Sequence, residues 1–194
     1  LYALLDKANP KQAAWRGFGY AMGLFLPGLW WIHVSMTMFG GIPLPVAFVL
    51  LAGLSAYLAL YPTLACWAFA RFFSGRHWSR WLLAFPALWL MADWLRGWVM
   101  TGFPWLWFGY TQIDGPLKGF APLLGVQGIT LALLLTASAL WLVWQHRKPA
   151  WLLLPVALVG AAQGLMQLNW VTRGEPVKVA LVQGNIEQSL KWDP

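Results

Sequence analysis

Asp93 and Arg96, in Ala92-Asp-Trp-Leu-Arg-Gly-Trp98, are the residues whose types and spacing first suggest chemistry. Three positions apart on a helix, they share a face and their side chains can meet. Charges in or near hydrocarbon are costly unless paired or wet, so such a pair marks a functional surface by default. The competing reading is an internal ion pair that stabilises one end of the helix. His33 could serve as a lone general base, but a ring at the end of a helix is the plainer reading. Gln127, Gln163 and Gln167 can hydrogen-bond between helices or to a substrate, and nothing in the sequence separates the two. Cys66 has no His or acidic neighbour at helical spacing to activate its thiol, so it reads as packing. There is no G-x-S-x-G elbow, H-E-x-x-H, P-loop, or G-x-G-x-x-G in a strand–helix context. Read alone, these residues hold no active site, and no metal or cofactor is expected.

The elements that carry them are set by composition. Hydrophobic residues make up 60% of the 194 and charged residues 10%, where a globular domain has about 45–50% and roughly 25%. Lipid is the solvent that accommodates this surplus. About five runs approach the roughly 20 residues needed to cross a bilayer: Gly17–Phe39, Leu44–Ala70, Trp81–Met100, Phe120–Trp144 and Ala150–Trp170. Unpaired backbone is not tolerated in hydrocarbon, so helices are expected, kinked at Pro27, Pro62, Pro86 and Pro155. Trp30, Trp31, Trp81, Trp98, Trp105, Trp107, Trp141 and Trp144 fall near run ends, where indole favours the membrane–water interface. Gly19/Gly23, Gly160/Gly164 and the seam Gly128-Ala132-Thr136 have the spacing that lets helices approach closely.

The net charge of +7 does not point to nucleic acid, because the basic residues form short clusters between apolar runs and no continuous stripe. Lys7, Lys11, Arg16, Arg71, Arg76, Arg80, Arg147 and Lys148 occupy alternate loops. The other loops carry only Lys118, or Lys118 and Arg96. This bias predicts that loops 71–80 and 145–149 are cytoplasmic and that the chain after about residue 171 emerges on the opposite face. The segment 101–119 is too apolar to float in water and too broken by Gly and Pro to span. It is expected to lie along the outer face or dip into it, as an interfacial cap or as the floor of a lipid-binding site. Residues 177–194 then read as a short β-type run with polar residues, unlike all that precedes them. Leu1 has neither an initiating Met nor a signal peptide's basic region before it, so truncation is expected there too.

Several stretches carry a specific resemblance. Asp-Trp-Leu-Arg-Gly-Trp98, Thr-Gly-Phe-Pro-Trp105 and Phe-Gly-Tyr-Thr-Gln-Ile-Asp-Gly-Pro-Leu-Lys-Gly119 resemble the bacterial apolipoprotein N-acyltransferases. Gly17-Phe-Gly-Tyr-Ala-Met-Gly23, Trp31-Ile-His-Val-Ser35 and Phe39-Gly-Gly-Ile-Pro43 resemble earlier helices of that family. Val179-Ala-Leu-Val-Gln-Gly-Asn-Ile186 and Ser-Leu-Lys-Trp-Asp193 resemble the opening of its nitrilase-like domain. The similarity runs along essentially the whole chain.

The resemblance implies an all-α polytopic membrane bundle over residues 1–174, followed at 175–194 by the first β-strand of a periplasmic carbon–nitrogen-hydrolase domain. It implies an inner-membrane enzyme that moves an acyl chain from a phospholipid, commonly phosphatidylethanolamine, to the amino group of a lipoprotein's lipidated N-terminal cysteine. The partners would be that donor, the lipoprotein and the bilayer. The family's Glu-Lys-Cys triad forms a thioester in a ping-pong sequence. Its positions lie beyond this chain, so the fragment alone is expected to be inactive. Glu175, Glu187 and Cys66 match none of the triad's motifs. Substrate contact is expected of Trp192, which matches a family tryptophan near the active site, and of Arg96, Asp93, Trp105, Tyr110, Gln112 and Lys118. The alternatives are a transporter or channel, which would need polar residues lining a path near the midplane, and a non-catalytic membrane anchor.

Overall fold

The computed structural model describes residues 1–75, 77–172 and 174–185. Trp192 and the motif Ser-Leu-Lys-Trp-Asp193 lie outside the described residues, as does Arg76. Within them the chain is helical. The elements are α1 (Tyr2–Leu5), α2 (Pro10–Gly28), α3 (Ile32–Met38), α4 (Leu44–Phe72), α5 (Phe85–Arg96), α6 (Ala121–His146) and α7 (Leu153–Met166), with short 3-10 turns in the connections.

Each boundary has a local cause. Asn9 caps α2 by accepting the Gln12 amide at 2.8 Å, while the Gln12 side chain accepts the Asn9 amide at 3.2 Å and Pro10 opens the first turn. Pro27 and Gly28 close α2, so the expected first span is two helices rather than one run to Phe39. Gly41, at φ +62°, and Pro43 set up the turn into α4.

The third expected span departs most from a plain helix. It begins as a π-helical turn, Arg80–Ala84, and α5 ends at Arg96. Pro86 favours the wide turn, because its ring clashes with the carbonyl four residues back, at Leu82; in the π register it then has no N–H to give to Trp81, five residues back. The Phe85 amide is used on Arg80 instead. The Trp81 carbonyl is left to Ser138 of α6, whose hydroxyl donates to it at 2.6 Å. After Arg96 the backbone breaks sharply, with Met100, Thr101 and Gly102 all at positive φ.

Among the described residues, three helical segments are long and apolar enough to cross a membrane: Leu44–Phe72, Lys118–His146 and Pro149–Met166. The expected strand at the end of the chain is not formed among the described residues. Residues 174–185 lie in no helix or strand and are exposed. A strand with no neighbour leaves its amides and carbonyls unpaired and is not stable alone.

The helices meet in three cores. The largest surrounds Trp81, which is 0% exposed and packs against Tyr2, Phe69, Phe85 and Trp141. The expectation that Trp81 lies at the membrane–water interface is corrected: its side chain is fully buried between helices. A second core joins α2 to α4 through Ala21, Phe25, Leu29, Leu51, Leu58 and Ala59. A third joins Leu117, Ile129 and Ala132 to Ala162 of α7.

Small residues do mediate close approach, but largely not at the expected positions. Gly19, Gly23, Gly160 and Gly164 would meet nothing within 4 Å if given a side chain. The buried row on α2 is Ala13, Gly17 and Ala21, leading to Phe25 at the same four-residue step. A Cβ on Gly17 would come within 2.8 Å of the Cys66 Cβ. Cys66 is therefore packing, as expected. Of the expected α6 seam, Ala132 packs beside Ala162, while the atoms nearest to a Cβ built on buried Gly128 belong to Leu124 of its own helix.

The ends of the bundle sort by charge. Asp6 and Lys7 line one cleft with Trp144, Gln145 and Arg147, and another with Ser74, Gly75 and Arg80. The basic segments thus gather at one end. The 101–119 segment packs at the other, against Gly28 of α2 and the beginning of α6.

Candidate functional site: an aromatic loop held by a buried arginine

At that second end the chain folds loop 101–119 back onto the bundle. Glycines permit its close approaches. Gly109 lies against Val126 and donates its amide to the Thr130 hydroxyl at 3.0 Å, so any side chain at 109 would strike α6. Gly119 abuts the Ala162 carbonyl of α7, and Gln163 donates its side-chain amide to the Pro116 carbonyl at 3.0 Å. Gln163 therefore ties loop to helix. Leu106, at φ +61°, plugs the gap above Gly28.

Arg96 is the centre of this arrangement. It is 2% exposed, and its Nη2 donates to Asp93 Oδ1 at 3.0 Å. Its Nη1 donates to two loop carbonyls, Phe103 at 2.8 Å and Trp105 at 2.6 Å. The Phe103 amide returns a bond to the Arg96 carbonyl at 2.7 Å, and the guanidinium lies 5.1 Å from the Phe25 ring centroid. The fork geometry of arginine is what allows one side chain to hold a carboxylate and two carbonyls together. Asp93 Oδ2 and Arg96 Nε have no hydrogen-bond partner among the described residues, and neither do Trp107 Nε1 or the Gln127 amide group.

The expected contact residues are thereby divided. Asp93 and Arg96 are brought together as a pair, but they face the loop backbone and are closed to solvent. Trp105 and Tyr110 are each 49% exposed. Trp105 packs on Phe103 at 4.9 Å between centroids, and Tyr110 stacks on Trp107 at 6.2 Å with planes 7° apart. Gln112 is half-buried and curls over Gly115, and Lys118 is half-buried at the start of a 3-10 turn. Neither makes a side-chain bond to the Arg96 cluster. The loop's aromatics do not all lie at the surface: Phe108 stacks on buried Trp89 at 5.3 Å, and Phe103 joins the α2–α4 core. His33 sits between Trp30 and Phe48, with Nδ1 against the Trp30 carbonyl, at the start of α3.

Sequence reasoning missed the partners Phe25, Thr130 and the Phe103 carbonyl. The four-residue step from Ala13 to Phe25 was a usable signal for the first. The others arise from a backbone path that no local pattern encodes. Among the described residues no cluster of His, Cys, Asp and Glu could hold a metal.

Comparison with known proteins places this arrangement in context. Residues 1–139 match the model of the apolipoprotein N-acyltransferase N-terminal domain. Apolipoprotein N-acyltransferase of Vibrio parahaemolyticus is 48% identical over 196 aligned positions, covering 100% of this chain and 39% of that protein. The Shewanella oneidensis protein of the same name is 46% identical over 97% of this chain and 37% of its own length. That of Pseudomonas putida is 43% identical over 100% of this chain and 40% of its own length. The chain thus spans about two-fifths of these relatives.

Proposed function

The chain belongs to the apolipoprotein N-acyltransferase family, and we propose that it is the membrane portion of an enzyme that N-acylates lipoproteins in the bacterial inner membrane. The observation that carries this reading is similarity along the entire chain, loop 101–119 included, to proteins bearing that name. The charged end is cytoplasmic and the loop end periplasmic. Five passes, the two built from α2–α3 and α5 among them, deliver residues after about 171 to the periplasm. Residues 1–174 form the bundle, and 175–194 begin the hydrolase domain that holds the catalytic groups.

The chemistry proposed follows the family resemblance. A cysteine thiol loses its proton to a glutamate, and the thiolate attacks the acyl ester carbonyl of phosphatidylethanolamine. The ester C–O bond breaks, the lysophospholipid leaves with a proton, and a thioester remains. The free amine of the lipoprotein's modified cysteine then attacks the thioester, an amide forms, and the thiol is regenerated. A lysine stabilises each oxyanion. None of these groups lies in this chain. Its own contribution is a rigid, lipid-embedded frame that presents Trp105 and Tyr110 at the periplasmic interface, where aromatic rings favour the headgroup layer. Gln112, Lys118 and Trp192 complete the proposed substrate-facing set.

The complete protein, reconstituted with phosphatidylethanolamine vesicles and a synthetic diacylated lipopeptide, should add one acyl chain to the peptide's amino group by mass spectrometry. A lipopeptide of unchanged mass would overturn the reading.

A further inference from the structure

We infer that Arg96, oriented by Asp93, is a positioning residue that acts on substrate only through Trp105. This rests on the acyltransferase reading above and concerns how the loop is held. Three observations carry it. First, Arg96 is 2% exposed, and both of its terminal nitrogens are engaged, Nη2 by Asp93 and Nη1 by the Phe103 and Trp105 carbonyls. A lipid headgroup has no access to it. Second, the held segment is one the chain would not keep unaided. It is flanked by Met100 at φ +51° and Thr101 at φ +72° before it and by Leu106 at φ +61° after it. Non-glycine residues adopt that region at a cost, which the surroundings must offset. Third, of the two residues whose carbonyls are gripped, Phe103 packs into the core and Trp105 projects, 49% exposed, so the exposed ring that the grip sets is Trp105.

The guanidinium therefore fixes the height and direction of an exposed indole from beneath. Asp93 sets the plane of the guanidinium, so that the remaining fork points at the loop. The Phe103 peptide is bound twice, its carbonyl by the Arg96 side chain and its amide by the Arg96 carbonyl, which locks the segment to the end of α5.

The test uses the complete protein with Arg96→Ala, Arg96→Lys, Asp93→Asn, Trp105→Ala and the double variant Arg96→Ala/Trp105→Ala. Activity is measured per folded molecule on phosphatidylethanolamine vesicles and the lipopeptide, and hydrogen exchange is measured at the amides of Phe103, Trp105, Leu106 and Trp107, Pro104 having none. Arg96→Ala is expected to speed exchange there about tenfold and to raise the phospholipid KM about tenfold with kcat within about twofold. Arg96→Lys should recover part of this, because an ammonium reaches one carbonyl but cannot fork. The double variant should be no worse than Trp105→Ala alone, the non-additivity expected when one residue acts through another. Should Arg96→Ala fail to fold, Asp93→Asn gives the same direction with a smaller loss. Additive effects, or unchanged exchange at 103–107, overturn the positioning role. Absence of transfer by the unmodified protein overturns the acyltransferase reading instead, and the exchange measurements still decide whether Arg96 holds the loop.

Discussion

A methyl group at Gly119 would be built directly into the carbonyl oxygen of Ala162, which is backbone and cannot rotate away. Gly119→Ala must therefore separate the end of the loop from α7. Overpacking of this kind costs about 1–3 kcal/mol, and here it also threatens the bond from Gln163 to the Pro116 carbonyl. A lowered thermal midpoint in detergent is expected for Gly119→Ala, with no change for Gly160→Ala, whose position is open. Equal midpoints for the two would show that the loop does not sit against α7. The contrast also marks what residue types alone disclose. Gly160 and Gly164 carry the spacing of a helix-contact motif, yet a side chain on either would meet nothing within 4 Å, whereas Gly119 carries no motif and is tightly enclosed. Asp93 and Arg96 were legible as a pair, because three-residue spacing on a helix guarantees proximity. That the pair faces a loop and not a ligand depends on where residues 103 and 105 return, which spacing cannot encode.

At the scale of elements, the π turn is the feature with the clearest energetic consequence. Pro86 strips the Trp81 carbonyl of a helical partner, and Ser138 on α6 supplies one at 2.6 Å; the same hydroxyl lies 3.0 Å from the Tyr2 hydroxyl. Ser138 is 0% exposed, so Ser138→Ala leaves a buried carbonyl unpaired, at a cost of about 1–3 kcal/mol. Pro86→Ala restores an N–H in reach of that carbonyl. Ser138→Ala should then cost measurably less in a Pro86→Ala background than in the native one, a coupling that denaturation of all four proteins would reveal. Equal costs in both backgrounds would mean that Ser138 does not compensate for the proline. The sequence showed that Pro86 would disturb a helix, since the missing donor is intrinsic to the residue. It did not show the form of the disturbance, because that depends on a serine fifty-two positions away. The expected spans α4, α6 and α7 were legible for the opposite reason: long uninterrupted apolar runs leave few alternatives in lipid. The run to Phe39 was not, as Pro27-Gly28 ended the helix early.

For the whole molecule, the separation of charge between the two ends converts into a prediction about sidedness. Lys7, Arg80 and Arg147 border clefts at one end, and the anchored loop lies at the other, nearly the length of α6 away. Gly125, at φ +61°, kinks α6 near its start; beyond it, residues 126–146 rise about 32 Å at 1.5 Å per residue, enough to cross the hydrocarbon. A cysteine placed at Ile113, which is 68% exposed in the loop, should react with a membrane-impermeant maleimide in cells whose outer membrane has been opened. A cysteine at exposed Phe72, where α4 ends among the basic residues, should react only after the inner membrane is also disrupted. The native Cys66 is 0% exposed and contributes no background from this portion of the protein; labelling of the unmodified protein sets the baseline for any other cysteine. Reversed labelling would place the loop in the cytoplasm and remove it from periplasmic acyl transfer. Labelling at both sites before disruption would contradict a bundle that spans. No single basic residue decides the sidedness, because the excess is distributed over three segments that the fold brings together at one end. The gathering of the basic segments at one end was legible from the loop pattern, because alternate loops of a helical bundle return to the same end, while the Arg96 anchor at the opposite end was not.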